Sequence, residues 1–143
     1  MTPDEFQSKL TGITVEINRA VNHDLPLIVG NKAVDMFKQN FQEEGFFGGK
    51  WKDVKRRTNP PKRTRHPADA RRKILTGRTA NLGRSIRNKV QRGLAVIYSD
   101  APYAPYHNEG TPRIPQRQFI GDHPKLRRMV QNEIERRLGR IFK

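Results

Sequence analysis

The segment from Tyr103 to Phe119 constrains the possible folds of this chain more than any other stretch of its sequence. Its proline and glycine content disfavours a helix, and its aromatic content disfavours a disordered tail. We therefore predict a specifically shaped connection in which aromatic side chains pack while glycine and proline set the backbone path. The packing residues are Tyr103, Tyr106 and Phe119, and the path-setting residues are Gly110, Pro112 and Pro115.

Basic residues form a block in the middle of the sequence. The chain of 143 residues carries a formal net charge of +15. Between Lys50 and Arg92 there are sixteen Lys and Arg residues against two acidic ones, whereas residues 1–49 contain four basic and seven acidic residues. Such an excess indicates a polyanionic partner, or a position in which neighbouring subunits neutralise the charge.

Length and composition limit the classes of protein that fit. The chain contains no cysteine, which removes disulfides, thiolate metal sites and cysteine nucleophiles and fits a reducing cytosol. Its apolar runs are shorter than the roughly 20 residues that span a bilayer, and its N-terminus lacks a signal-peptide pattern. We therefore expect no membrane role. The length predicts a single domain, residues 1–143, with a basic and mobile arm at about residues 50–72.

Hydrophobic periodicity predicts an α+β fold with helices at both ends. Thr2, Pro3 and Glu5 form a capping-box helix start, and apolar residues then recur at helical spacing. Residues 23–26 should interrupt this helix, with Asp24 or a neighbour capping a second one. We expect both helices to be core elements. A closing amphipathic helix should begin at about Pro124.

The second half of the chain is predicted to contain a small antiparallel sheet. Residues 85–90 and 94–99 alternate polar and apolar side chains on either side of a turn, as β-hairpins do. A short third strand around Gln116 to Phe119 would complete the sheet. A long basic loop would separate the sheet from the N-terminal helices.

Two short motifs occur in a fixed order in this half of the chain. The first is Tyr-Ala-x-x-His-x-x-Gly, the second is Pro-x-Arg-x-Phe-hydrophobic-Gly, and a closing helix follows. On these motifs the chain resembles the phage virion morphogenesis family of tail completion, or neck (head–tail joining), proteins. The matching residues are Tyr103, Ala104, His107, Gly110, Pro115, Arg117, Phe119 and Gly121.

The resemblance implies a structural virion protein of a tailed phage or prophage that completes the tail or forms the neck between head and tail. It implies a homo-oligomer, a ring of six copies around the DNA channel, with phage neck, connector or tail proteins as partners. The protein would then lie in the neck or tail of the virion, and in the host cytoplasm during assembly. Such proteins work by assembly and not by turnover.

The basic arm has two open interpretations. Its cations could neutralise DNA phosphates with little reading of base sequence, or they could dock on an acidic neighbouring protein. A free, nonspecific nucleic-acid-binding protein is the alternative function, although the ordered Tyr103–Phe119 segment counts against it. The candidate contacts are Lys55, Arg56, Arg57, Lys62, Arg63 and Arg65.

A second group of candidate residues would form an interface or shape the loops. Trp51, with the neighbouring Phe46 and Phe47, could anchor a partner subunit or form a satellite core. Arg113 and Arg117 could pair with an acidic residue inside the chain or across subunits, and for Arg117 we favour pairing within the chain. The whole group is Trp51, Tyr103, His107, Arg113, Arg117 and Phe119.

Catalysis is the least favoured class of function. His107 and Glu109 are two residues apart, but no third metal ligand accompanies them, so we expect His107 to hydrogen-bond within a packed loop. The sequence contains no phosphate loop and no nucleophile elbow, and its carboxylates are dispersed. We therefore expect no enzyme activity, no catalytic residue, no metal and no cofactor.

Overall fold

A computed structural model of the chain describes residues 1–59, 71–77 and 79–142. Helices at both ends and two small antiparallel hairpins confirm the predicted α+β class. The chain divides into two compact units, and the single-domain expectation stays a prediction. The helical unit comprises Met1–Ala33, Asn88–Ile97 and Pro124–Lys143, and the loop unit comprises Val34–Arg87 and Tyr98–His123.

The first helix, α1, spans Pro3–Arg19 and begins as the sequence predicts. The Thr2 hydroxyl accepts the Glu5 backbone N–H at 3.1 Å, and the Glu5 carboxylate accepts the Thr2 N–H at 2.7 Å. These reciprocal bonds satisfy donors that a helix start otherwise leaves unpaired. However, α1 buries none of its residues, so the expectation that it is a core element is wrong.

A π-helical turn joins α1 directly to the second helix. The turn spans Ala20–Asp24 and α2 follows at once over Leu25–Glu43. The predicted interruption at residues 23–26 is therefore wrong, and Asp24 is not a helix cap. Pro26 has no N–H to donate, and the wider π turn before it keeps the chain helical in spite of that missing bond.

A tight hairpin that the sequence did not predict follows α2. Strands β1 (Gly45–Phe46) and β2 (Gly49–Lys50) pair antiparallel. The two turn residues, Phe47 and Gly48, have φ values of 47° and 92°. Two successive positive φ angles are what a type I′ turn requires, and such a turn matches the twist of the paired strands.

The predicted second hairpin is present. Strand β3 spans Ile86–Gln91 and β4 spans Leu94–Ser99, and the linking residues Arg92 and Gly93 again have positive φ, 53° and 75°. Two short helical turns precede this hairpin, α3 at Lys55–Thr58 and α4 at Asn81–Arg84.

Part of the segment expected to be non-helical forms a helix. Helix α5 spans Ala104–Glu109, with Pro105 in its first turn, where the fixed φ of proline suits a helix and its missing N–H has no partner to lose. Gly110, at φ +79°, ends the helix. The prediction was wrong here because it counted the proline without its position.

The predicted third strand is absent, since residues 116–119 have no strand partner in the described part of the chain. Side chains and the end of α5 satisfy the backbone there. The Arg117 N–H donates to the His107 carbonyl at 2.8 Å. The final helix, α6, runs over Pro124–Ile141 and confirms the predicted start at Pro124.

Ion pairs connect the helices of the helical unit. Glu133 of α6, which is 7% exposed, accepts hydrogen bonds from Lys32 and, at 3.2 Å, from Arg136. The Lys32 hydrogen bond is the main cause of the lowered pKa of Glu133. Asp24 of the π turn accepts a bond from Arg137 of α6 at 2.6 Å.

Candidate functional site

The single tryptophan lies in the core of the loop unit. The Trp51 ring meets the Phe41 ring edge-on, with centroids 5.6 Å apart, and Phe41 lies 5.1 Å from Phe119. The indole N–H of Trp51 donates to the Gln118 carbonyl at 2.8 Å. All three aromatic side chains are buried. Trp51 and Phe119 therefore tie the β2 region to the 110–123 loop.

The neighbouring phenylalanines form an aromatic stack with a histidine. The rings of Phe47 and His123 are nearly parallel, with centroids 4.5 Å apart and an interplanar angle of 16°. Phe46 meets Phe47 edge-on at 4.8 Å. Phe46 and Phe47 are half-buried, and the choice between a partner anchor and a satellite core stays a prediction.

Two asparagines that the sequence analysis missed hold the backbone around Phe119. The Asn108 carbonyl oxygen accepts the N–H groups of Phe119 and Ile120 at 2.9 and 3.0 Å. Asn40, which is buried in α2, donates to the Phe119 carbonyl at 3.1 Å and accepts the Phe47 N–H at 3.0 Å. Asn40 could have been found from its place on the apolar face of α2, where a polar residue needs a specific partner.

Arg117 connects three backbone segments. Its Nε and Nη2 groups donate to the carbonyls of Lys52 and Asp53 at 2.9 and 3.1 Å, while its own N–H binds the end of α5. The residue is 8% exposed, and burial lowers its pKa. Arg113 is exposed, with its N–H bonded to the Thr111 hydroxyl at 3.2 Å.

Arg57 of the basic arm faces an internal carboxylate. Its guanidinium binds the Glu44 carboxylate through both Nη atoms, and the same carboxylate accepts the Ile74 N–H at 3.0 Å. These contacts, with the Arg57 hydrogen bond as the largest cause, lower the pKa of Glu44 to about 2. Glu44 itself has a positive φ of 54°, at the end of α2.

Arg56 is likewise turned to the protein. Its Nη2 donates to the carbonyls of Arg72 and Lys73, both at 2.9 Å. Burial, followed by the charges of Arg72 and Arg57, lowers the pKa of Arg56. Its Nε is buried and has no hydrogen-bond partner.

The remaining candidate contacts of the arm divide between exposed and undescribed positions. Lys55 is exposed on α3. Lys62, Arg63 and Arg65 lie outside the residues that the structure describes. Of the three candidate contacts that the structure describes, Arg56 and Arg57 bond to the protein and Lys55 faces solvent.

A cleft of about 350 Å³ lies beside these arginines in the loop unit. Arg56, Arg72 and Arg117 line it, together with the candidate residues Tyr103 and His107. We name it the arginine cleft. It thus gathers residues from the arm, from α5 and from the loop that follows α5, which are far apart in the sequence.

The polar side chains at one side of the arginine cleft bind one another. The Tyr103 hydroxyl accepts a hydrogen bond from the Asn81 amide at 2.6 Å, and the Tyr103 ring lies edge-on to His107 at 6.2 Å. Burial and, secondarily, the charge of Arg117 lower the pKa of His107, which favours the neutral ring. The His107 Nδ1 atom is buried and has no hydrogen-bond partner. The predicted hydrogen bond of His107 is therefore made by its backbone carbonyl and not by its Nδ1 atom.

Two searches of the described residues concern metals and membranes. No group of three or more His, Cys, Asp or Glu side chains in residues 1–59, 71–77 and 79–142 could hold a metal ion. No helix within those ranges is long and apolar enough to cross a membrane. Comparisons with protein-family models, with curated proteins and with solved structures found no match.

Proposed function

We propose that this chain is a structural assembly protein, acting in tail completion or neck assembly of a tailed phage or prophage as a ring of six copies around the DNA channel. The observation that carries the assembly role is an apolar stripe along α1 and the π turn that follows it, much of which is exposed. Phe6, Leu10 and Val21 are 54%, 43% and 47% exposed, and two half-buried residues, Ile13 and Ile17, complete the stripe.

An exposed stripe of this length is unusual for a chain with so few apolar residues. Only 34% of the residues are hydrophobic, yet none of the residues of α1 is fully buried. Contiguous apolar surface of this kind marks interaction sites in soluble proteins. An amphipathic helix that presents an apolar face is suited to lie in a groove of another protein.

Strand β4 offers a second apolar row. Alternate residues Leu94, Val96 and Tyr98 share one face of the strand and are all exposed. Two exposed apolar rows on separate elements suit a heterologous contact, in which different surfaces of adjacent copies meet and a ring closes.

The phage context comes from the resemblance, and the motif residues have clear physical roles that support it. Gly110 has φ +79°, and a β-carbon there would lie 2.9 Å from the Gln116 backbone nitrogen. Arg117 and Phe119 hold the loop to β2 and α2, as described above. The two motifs therefore specify one packed loop arrangement, which is what a shared assembly fold would require.

Sedimentation velocity over a range of concentrations tests the assembly role. We expect the wild-type protein to self-associate and Leu10→Asp to weaken association at least about tenfold, because a charge would replace a buried contact. Val15→Asp is the matched control, since Val15 is 58% exposed and half a turn away from the stripe. A monomeric wild-type protein, or equal effects of both variants, would refute the role of the stripe.

The phage role is tested in the genome that encodes the chain. Electron microscopy of an induced lysate lacking this gene should show filled heads and separate tails that fail to join, and Leu10→Asp should not restore joining. Normal infectious particles from the deletion would reject the morphogenesis role.

The alternative function, nonspecific nucleic-acid binding, is favoured by the exposed cations of the second hairpin. Arg87, Lys89 and Arg92 are exposed. For such a protein, the double change Lys89→Gln with Arg92→Gln should reduce the slope of log affinity against log salt by about 2 in anisotropy titrations with duplex DNA. Lys9→Gln on α1 is the control. An unchanged slope would reject this hairpin as the DNA contact.

A further inference from the structure

We propose that the arginine cleft is a binding site for a phosphate group. The proposal goes beyond the assembly role and does not depend on it. It rests on three features of the loop unit, namely a cavity of ligand size, three arginine residues in its lining, and buried polar atoms of two lining residues that have no hydrogen-bond partner.

The cavity is the right size for a phosphate group with part of the molecule that carries it. Its volume of about 350 Å³ falls at the lower end of the range of roughly 300 to 1,000 Å³ that small-molecule sites occupy. Part of its wall is apolar, formed by Val54, Leu75 and Leu82. Such a wall accommodates the carbon skeleton of a phosphate ester while the polar wall binds the charged oxygens.

Three arginines line the polar wall. Arg56, Arg72 and Arg117 come from separate segments, and the charges of the other two are among the causes that lower the pKa of Arg56. Their mutual repulsion makes the cleft a place of positive potential. An anion bound among them would relieve that repulsion, and guanidinium groups bind phosphate oxygens with matching geometry.

Two of the three guanidinium groups are held in place before any ligand arrives. Arg56 is fixed by two backbone carbonyls through Nη2, and Arg117, at 8% exposure, is fixed by two more. Because these donors already have one orientation, a ligand would not have to immobilise them on binding.

Buried atoms without partners give the most specific indication. Arg56 Nε and His107 Nδ1 are both withdrawn from solvent and have no hydrogen-bond partner. Buried polar atoms are nearly always bonded in native proteins, so each exception calls for an explanation. A phosphate group offers several acceptor oxygens, and one that enters the cleft could accept the Arg56 Nε–H or a proton on His107 Nδ1.

The test uses the full-length protein and monitors the arginine Nε–H and histidine ring signals by NMR during titration. Inorganic phosphate is the first probe, with sodium chloride at equal ionic strength as the reference, and a short DNA duplex is the second. We expect saturable shifts of the Arg56 Nε–H and His107 signals and slower hydrogen exchange at Arg56 Nε. If the duplex saturates the site at a lower concentration of phosphate groups than inorganic phosphate does, the ligand is nucleic acid. If only inorganic phosphate saturates it, the ligand is a small phosphate compound.

Arg56→Lys is the decisive variant, because it keeps the charge and removes the Nε–H donor; it also removes the Nη2 bonds to the Arg72 and Lys73 carbonyls, so its Tm is measured beside its phosphate affinity. We expect it to weaken phosphate binding at least about tenfold, whereas Arg113→Gln, which removes an exposed charge outside the cleft, should leave binding unchanged. If Arg56→Lys fails to fold, the hydrogen-exchange rate at Arg56 Nε in the wild-type protein, with and without phosphate, still tests the proposal. No saturable shift at Arg56, or equal weakening by the two variants, would overturn the proposal.

Discussion

Glu44 is the residue whose replacement tests the structure most directly. Its carboxylate binds both Nη atoms of Arg57 and the Ile74 N–H, so one side chain fixes the start of the arm and the chain after it to the end of α2. Glu44→Gln keeps the size of the side chain and its left-handed backbone conformation while it removes the charge. The change therefore isolates the ion pair from backbone strain.

The pKa shift of Glu44 sets the expected loss of stability in Glu44→Gln. A fall from 4.5 to about 2 corresponds to at most about 3 to 4 kcal/mol of stability, since one unit of pKa is worth about 1.4 kcal/mol. The side chain remains 22% exposed, so solvent screens part of this interaction and we expect a loss of about 2 kcal/mol. The unfolding entropy of a chain of 143 residues is about 0.3 kcal/mol/K, so Tm should fall by about 7 °C at pH 7.

The pH dependence provides the sharper measurement. A carboxyl group with a lowered pKa in the folded state stabilises the fold above its unfolded pKa, and this contribution disappears as pH falls through the folded pKa. The difference in Tm between wild type and Glu44→Gln should therefore be constant above about pH 5 and should shrink between pH 4.5 and pH 2. Circular dichroism melting curves across this range measure it.

Glu43→Gln is the matched control, because it removes the same charge one residue earlier from an exposed side chain. We expect it to change stability by less than about 0.5 kcal/mol. If Glu44→Gln behaves like this control, or if its Tm difference persists undiminished at about pH 2, the ion pair does not hold these segments together.

Three further predictions concern other contacts. Gly110→Ala should lower the free energy of unfolding, measured in urea, by more than about 2 kcal/mol, because φ is +79° and the new β-carbon would clash. Gly12→Ala in exposed α1 should raise it by about 0.5 to 1 kcal/mol, and equal effects of the two variants would contradict this reasoning. Asn108→Ala should lower stability by about 2 to 3 kcal/mol in the same assay, since it leaves two backbone N–H groups unpaired, and a loss under about 0.5 kcal/mol would show that water replaces its oxygen. Lys32→Gln should lower Tm at pH 7 and lower it less at pH 3. The pKa of Glu133 is lowered in the folded state, so the ion pair stabilises the fold above the unfolded carboxyl pKa and this stabilisation is lost as the pH falls. A pH-independent change in Tm would contradict the pairing.

The elements set by local sequence were predictable. The capping box at Thr2 and Glu5, the second hairpin and the start of α6 at Pro124 follow from residues within a few positions of one another. Each is a short-range pattern with a physical cause in capping, turn geometry or proline placement. The same reasoning failed at α5, where Pro105 lies in the first turn of a helix.

The elements set by distant partners were not predictable from periodicity. The apolar stripe of α1 has helical spacing whether or not another element covers it, so its exposure could not be inferred. The buried position of Glu133 depends on Lys32, which lies 101 residues earlier in the chain. The role of Asn108 likewise depends on two N–H groups that no local pattern marks.

The arginine cleft shows the same limit on the functional side. The sequence identified Arg56, Tyr103, His107 and Arg117 as candidate residues, but for separate reasons and in two separate groups. The three-dimensional structure is needed to show that they line one cavity and that Arg56 Nε and His107 Nδ1 are buried without a hydrogen-bond partner.

The positive charges of the basic arm have two roles, and those that stabilise the fold must be distinguished from those that could attract a partner. Arg56 and Arg57 give their donors to backbone carbonyls and to Glu44, so part of the net charge stabilises the fold, while Lys55 faces solvent. Deleting residues 52–72 would therefore remove structural contacts together with exposed charge, and a loss of binding would have two causes. Single changes separate them, because Lys55→Gln alters the exposed charge alone, whereas Arg57→Gln leaves the Glu44 carboxylate without its cation. If Lys55→Gln weakens partner binding and leaves Tm unchanged, the arm attracts the partner electrostatically. If only Arg57→Gln weakens binding, the charges of the arm act by stabilising the fold.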